Sequence, residues 1–320
     1  MLTTQFILCH GSGNRFLMLD AVREPRLEGL TEHPSLVARL CREVGDTDGL
    51  LLTVRVADTF GMRMFNTDGS EAEMCGNGIR CVARQAQEYV GDVDTFDLIS
   101  GGKRHAICRE KPIYGAIPTY RVSIGVSLTT ADFTPSIGCS TGFVGRVIDE
   151  LDPTLAFTYI NLGNPHLVAA VDQIDLERLT QLGERVKSLP QLLPHGTNVS
   201  FYRPMGDQTI YTATYERGVG LTASCGTAMT ACSTAACLMG YCRHEEPITV
   251  LNSGGRVRCC AMITEHGPVT TLSGNATYEG VGVLALDLDN EYFEQTDFEP
   301  NVREQEEYDQ FLKTIQAEKL

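Results

Sequence analysis

A set of polar landmarks in this chain returns 150 residues further on. Gly13-Asn14 recurs as Gly163-Asn164, Asp48 as Asn198, Asn66 as Glu216, and Cys75-Gly76 as Cys225-Gly226. A glycine pair, Gly101-Gly102, returns as Gly254-Gly255, three residues out of step. Register kept over this distance constrains the chain to two diverged copies of one folding unit. The length of 320 residues suits two cores better than one.

The local patterns repeat as well. QFILCHGSGNRFLMLD reads as two strands around a glycine turn, and LAFTYINLGNPHLVAAV has the same form. LLLTVRVAD, MRMFN, TNVSFYR and TIYTATYERG read as further strands. A helix is predicted from near Cys75 through GIRCVARQAQEYV, with Ile79, Val82, Ala83 and Ala86 at helical spacing. Its counterpart, CGTAMTACSTAACLMG, is built of small residues and ends at Gly240, a suitable C-cap. Small side chains let other backbones approach closely, as around a buried helix. DTFDLIS with RHAIC, and ITVLNSGGRVRCCAMI, close the two halves as hairpins. The fold class expected is therefore mixed α/β: two pseudo-symmetric domains, each a curved mixed sheet around a central helix. Residues 1–125 with about 275–288 would form one domain and 126–274 the other. Residues 289–320 would form an acidic, solvated tail, helical after Pro300.

Composition narrows the function. The net charge of −15 argues against nucleic acid or an anionic membrane as partner, and no apolar run is long enough to span a bilayer. The first residues lack the basic flank of a secretory signal, so a cytoplasmic protein with reduced thiols is expected. The twelve cysteines show no CxxC pair or zinc-type spacing, so no metal site is expected. An exposed edge strand could pair two copies into a homodimer; the sequence leaves the oligomeric state open.

Cys75 and Cys225 stand out among these thiols because each opens a helix beside glycine. Unpaired N–H groups and the positive helix end suit a bound carboxylate and favour a thiolate. Gly76 and Gly226 with Thr227 would let a ligand approach the backbone. A single cysteine in this position is ordinarily a packing residue. Two in register are better explained as opposed acid-base groups, which inversion of a stereocentre requires. Glu216-Arg217 precedes the second cysteine, and an arginine can grip a carboxylate through two parallel hydrogen bonds. Asn14, Asn66, Asn164 and Asn198 lie beside turns, where turn chemistry alone would also explain each. His166 is equally consistent with a structural and a site-lining role.

Across HGSGN, MRMFNTDGSEAEMCGNGIRCVAR, GNPH, GTNV, YERGVGLTASCGT and NSGGRV the chain resembles the diaminopimelate epimerase family. The resemblance runs from near the start to about residue 284. It implies a cofactor-independent epimerase with its active site in the cleft between two pseudo-symmetric domains, acting on a small amino-acid substrate. By position it implies Cys75 and Cys225 as the catalytic pair. Asn14, Asn66, Asn164, Asn198, Glu216 and Arg217 would bind substrate, with the backbone of Gly76, Asn77, Gly226 and Thr227. Four positions depart from the family pattern: Arg15 stands for Asp, Gly49 for a Gln of some members, Leu221 for Glu, and Ala228 for Gly. The rival readings are racemisation of another amino acid on the same two-cysteine plan, and a binding protein that keeps only the fold.

Overall fold

A computed structural model describes residues 1–72, 74–128, 142–194, 196–264 and 267–318. Cys139 lies outside them. The chain divides into two compact units, Met1–Val122 with Ser273–Leu320, and Ser123–Leu272.

The first unit opens with a hairpin of β1 (Leu2–Gly11) and β2 (Asn14–Asp20). Its turn residues Ser12 and Gly13 both have positive φ, 56° and 79°. A 3-10 segment, Pro25–Glu32, and helix α1 (Pro34–Glu43) carry the chain to β3 (Gly49–Val56), parallel to β2. β4 (Thr59–Asn66) returns antiparallel, and the short β5 (Glu71–Ala72) leads into α2 (Gly78–Val90). β6 (Thr95–Ser100) then runs parallel to β4, followed by β7 (Lys103–Glu110) and β8 (Thr119–Gly125). Both parallel pairs are joined through a helix, as parallel pairing requires. Sequence alternation sends the two helices to opposite faces. Leu50 and Leu52 join the core that holds Leu36, Val37 and Leu40 of α1. Leu51 meets Gly78 at the start of α2. Burial on both faces explains why FLML and LLLTV are continuous apolar runs rather than alternating ones.

After a short extra strand, β9 (Arg146–Ile148), the second unit repeats this order: β10 (Asp152–Asn161), β11 (Pro165–Ala170), α3 (Leu176–Lys187), β12 (Asn198–Gly206), β13 (Thr209–Glu216), β14 (Gly220–Thr222), α4 (Gly226–Leu238), β15 (Ile248–Asn252), β16 (Gly255–Thr264) and β17 (Gly267–Asn275), whose residues from Ser273 belong to the first unit. The pairing signs repeat too: β11 parallel to β12, β12 antiparallel to β13, β13 parallel to β15. Helix α4 packs against six strands, β10 to β13, β15 and β16, and is buried from Gly226 to Cys237. Its hydroxyls survive burial by bonding back one turn: Thr230 to Gly226 O at 2.9 Å, Ser233 to Met229 O at 2.8 Å, Thr234 to Thr230 O at 3.0 Å. The small-residue helix is thus central, as its composition suggests. Helices α1 and α3 are additions to the elements expected from sequence. Leu179, Leu182 and Val186 of α3 close a second core over Phe157, Tyr159, Leu167 and Phe201.

The chain returns to the first unit through β18 (Thr277–Asp287), antiparallel to β1, and β19 (Tyr292–Pro300), antiparallel to β18. Helix α5 (Val302–Glu318) follows. The expected solvated tail is in this respect corrected. Its first part is a strand, and α5 buries Tyr308, Phe311 and Ile315 in the first unit. Burial of each such side chain stabilises by about 1.5–3 kcal/mol, enough to hold a helix whose other faces are charged. Among the described residues no helix is long and apolar enough to cross a membrane.

Candidate active site

The helix entries are alike in the two units, although Cys225 is the N-cap of α4 while Cys75 lies two residues before Asn77, the N-cap of α2. The carbonyl of Cys75 accepts the N–H of Ile79 at 3.0 Å, and that of Cys225 the N–H of Met229 at 3.0 Å. Cys75 Sγ receives the Gly78 N–H at 3.4 Å. Cys225 is itself the N-cap of its helix and makes no side-chain capping bond; the Ala228 N–H, 150 residues on from Gly78, only favours its thiolate. Each thiol therefore stands at the first turn of its helix, and the Cys75 sulfur bonds an N–H of that turn.

The neighbouring polar residues repeat the correspondence. In the first unit Asn14 Oδ1 lies 3.8 Å from Cys75 Sγ and accepts from Asn77 Nδ2 at 3.3 Å. In the second, Asn164 Nδ2 donates to Thr227 Oγ1 at 3.2 Å, and Thr227 Oγ1 lies 3.4 Å from Cys225 Sγ. His166, fully buried, places Nε2 3.0 Å from Asn164 Oδ1. With that nitrogen protonated, donors line up from His166 through Asn164 and Thr227 towards the sulfur. His166 Nδ1 is buried without a hydrogen-bond partner among the described residues. Asn198 Oδ1 accepts the Arg217 N–H at 3.0 Å, and Thr222 donates to Glu216 at 2.7 Å.

Asn14, Gly76 and Asn77 thus gather at Cys75, while Asn164, His166, Glu216, Gly226 and Thr227 gather at Cys225. Asn66 is the outlier. It is exposed, and its side-chain amide donates to Ser70 Oγ at 2.9 Å within its own turn.

The two thiols differ in exposure. Cys75 is half-buried and Cys225 is 7% exposed. Burial pushes the Cys225 thiol well above its ordinary pKa, and the Glu216 carboxylate adds to this. The Thr227 hydroxyl and Ala228 N–H oppose it without prevailing. The expected thiolate-favouring effect of the helix end is present at Cys225, but desolvation outweighs it.

Two departures from the family pattern have structural reasons. Arg15 makes a paired contact with Glu279, Nε to Oε1 at 2.9 Å and Nη2 to Oε2 at 2.7 Å. A Cβ at Gly49 would stand 2.6 Å from Phe65 O, so this backbone admits no side chain there. Leu221 is exposed on β14 and Ala228 is buried on α4; nothing in the structure explains either choice.

Sequence reasoning missed Arg80 and His10. Arg80 is fully buried and donates to Gly76 O at 2.8 Å, Asn275 O at 3.1 Å, Asn77 Oδ1 at 3.1 Å and Ser12 Oγ at 3.2 Å. His10 Nδ1 accepts from the Gly13 N–H and from Asn275 Nδ2, each at 3.3 Å. Burial lowers its pKa to about 4, and burial lowers that of His166 to about 3. Both rings are held neutral in the fold but protonate near 6.5 when unfolded. Their contribution is fully present above pH 6.5 and is lost as pH falls towards 4. For His10 alone this is on the order of 3 kcal/mol. Urea midpoints measured from pH 7.5 to 4.5 should therefore fall, and fall less steeply in His10→Gln.

Solved structures share this architecture. The chain resembles a Bacillus anthracis phenazine biosynthesis protein of the PhzF family, with TM-score 0.64 and 15% identity over 89% of this chain and all of that one. It also resembles a hydroxyproline epimerase from Agrobacterium vitis, solved with trans-4-hydroxy-L-proline, with TM-score 0.62 and 13% identity over 89% and 92% of the two chains. The fold is that of these two-unit α/β proteins. The family model for diaminopimelate epimerase matches residues 6–111 and 158–279. The Listeria monocytogenes diaminopimelate epimerase is 35% identical over 338 aligned positions, covering 99% of this chain and 100% of that protein. The Clostridium acetobutylicum enzyme is 34% identical over 285, covering 87% and 85%. The chain belongs to the diaminopimelate epimerase family and is an isomerase.

Proposed function

We propose that this protein interconverts LL- and meso-diaminopimelate by moving a proton at one α-carbon, with Cys75 and Cys225 as the two acid-base groups. The carrying observation is the repeated entry itself: two thiols, 150 residues apart, each at a helix start and each ringed by an equivalent asparagine and a polar helix residue. One sulfur, as thiolate, takes the α-proton. The other, as thiol, delivers a proton to the opposite face. One S–H bond forms as another breaks, no electrons are exchanged, and the two sulfurs end in exchanged states. A buried Cys225, held as the thiol, suits the acid member of such a pair.

A thiolate is a weak base for so weak a carbon acid, so the developing carbanion needs support. The N–H groups around Gly76, Asn77, Gly226 and Thr227 would hold the α-carboxylate as charge enters it. Asn14, Asn66, Asn164, Asn198 and Glu216 would fix the α-amino group and chain. Arg217, exposed on the turn after β13, would take the distal carboxylate. The reaction so written uses side-chain and backbone groups of the protein alone, in the cytoplasm.

The test is reduced protein with LL-diaminopimelate in deuterium oxide. Formation of the meso isomer with α-deuterium supports the reading; no exchange would redirect it to another amino acid, and failure across a substrate panel to a binding role. In the same assay Arg217→Ala should raise KM by roughly tenfold to a hundredfold, the value of a charge-assisted pair. Unchanged KM would remove Arg217 from the site.

A further inference from the structure

We propose that helix α5 positions the substrate loop 10–14, with Tyr308 as the positioning residue, acting through His10. The inference rests on Asn14 serving the reaction above. Tyr308 is 5% exposed, and its ring meets the His10 ring edge-on, with centroids 4.3 Å apart and planes at 63°. That contact fixes the imidazole whose Nδ1 holds the Gly13 N–H. Asn275 ties the same turn from the other side, accepting the Ser12 N–H at 2.8 Å. Two consecutive residues of positive φ, Ser12 and Gly13, depend on these bonds to stay where they aim Asn14.

A second path runs from α5 to the same loop. The Asn301 N–H bonds Glu279 O at 2.7 Å, and the Gln305 side-chain amide bonds the same carbonyl. The Glu279 carboxylate clamps Arg15. The Arg15 N–H and Asn14 Nδ2 share one oxygen of Asp48, at 2.8 and 2.9 Å. The helix is itself anchored: Glu304 pairs with Arg84 through two bonds of 2.7 Å, and Phe311 stacks on Tyr114 at 5.2 Å. The match to the family pattern ends at residue 279, before α5, although the Listeria monocytogenes relative aligns over 99% of this chain. Arg15, which departs from that pattern, is the residue through which the second path reaches Asn14.

Three full-length variants test this. Tyr308→Leu keeps an apolar side chain but loses the ring contact, Tyr308→Phe restores the ring, and Glu306→Gln changes an exposed residue of the same helix. Each is compared in kcat and KM for LL-diaminopimelate, and in backbone hydrogen exchange over residues 8–17. The expected result is a folded Tyr308→Leu protein with kcat/KM lowered about tenfold to a hundredfold and faster exchange confined to the loop, both recovered in Tyr308→Phe. Wild-type kcat/KM in Tyr308→Leu would overturn the proposal, as would an equal loss in Tyr308→Phe. Absence of turnover in the wild type would instead refute the epimerase reading. Loop exchange unchanged in Tyr308→Leu would then still overturn the positioning role.

Discussion

Replacing either cysteine by alanine should stop isomer formation while leaving the protein folded. The effect expected is large, about 10²- to 10⁴-fold or more, the range for a positioned acid or base. Folding should survive because the Cys75 sulfur caps a single N–H, at Gly78, a bond worth about 1 kcal/mol, and the Cys225 sulfur makes no capping bond at all. The two variants should not be alike in exchange. With one thiol left, a proton can be taken and a deuteron returned only on the face that thiol serves. Each variant should therefore wash out the α-proton of one isomer and be inert towards the other, with complementary choices. Deuterium incorporation followed by mass spectrometry on both isomers reads this directly. A variant that exchanged both isomers would show that one sulfur reaches both faces, and the two-base scheme would fall.

Much of this was legible in the sequence because duplication makes weak signals mutually reinforcing. Neither cysteine is informative alone; at a spacing of 150 they specify equivalent helix entries, and the bonds at Asn14–Asn77 and Asn164–Thr227 repeat that spacing in space. Helices α1 and α3 carried their own signal, apolar residues such as Leu36, Val37, Leu40 and Cys41 at helical spacing, but lay outside the polar landmarks. The C-terminal segment misled because its charge is real. Its strand is exposed along most of its length, and only Tyr308, Phe311 and Ile315 betray a docked helix. His10 and Arg80 were hidden for a different reason. What makes them structural is distant in sequence: Asn275 and Tyr308 for the first, Ser12 and Asn275 for the second.

Arg80→Met should destabilise the fold strongly, by on the order of 3–5 kcal/mol. An arginine in the first turn of a helix ordinarily reads as surface. Here methionine would keep the stem but withdraw the donors from Gly76 O, Asn77 Oδ1, Ser12 Oγ and Asn275 O, and each buried acceptor left without one costs about 1–3 kcal/mol. The chain offers an internal control. Thr230 stands 150 residues on, and its hydroxyl bonds Gly226 O at 2.9 Å as the Arg80 guanidinium bonds Gly76 O at 2.8 Å. Both side chains therefore brace the carbonyl that follows a candidate catalytic cysteine. Thr230→Val removes that one bond at nearly constant shape and should cost only about 1 kcal/mol. Arg80 also joins the Cys75 turn to Ser12 and Asn275, and Gly11 and Gly274 leave no room to rearrange: a Cβ at either would lie 2.8 or 3.0 Å from the guanidinium. Urea unfolding at neutral pH measures both changes. Equal losses in Arg80→Met and Thr230→Val would mean that the guanidinium only braces the helix entry; the geometry requires the arginine to matter more, because it ties that entry to the loop bearing Asn14.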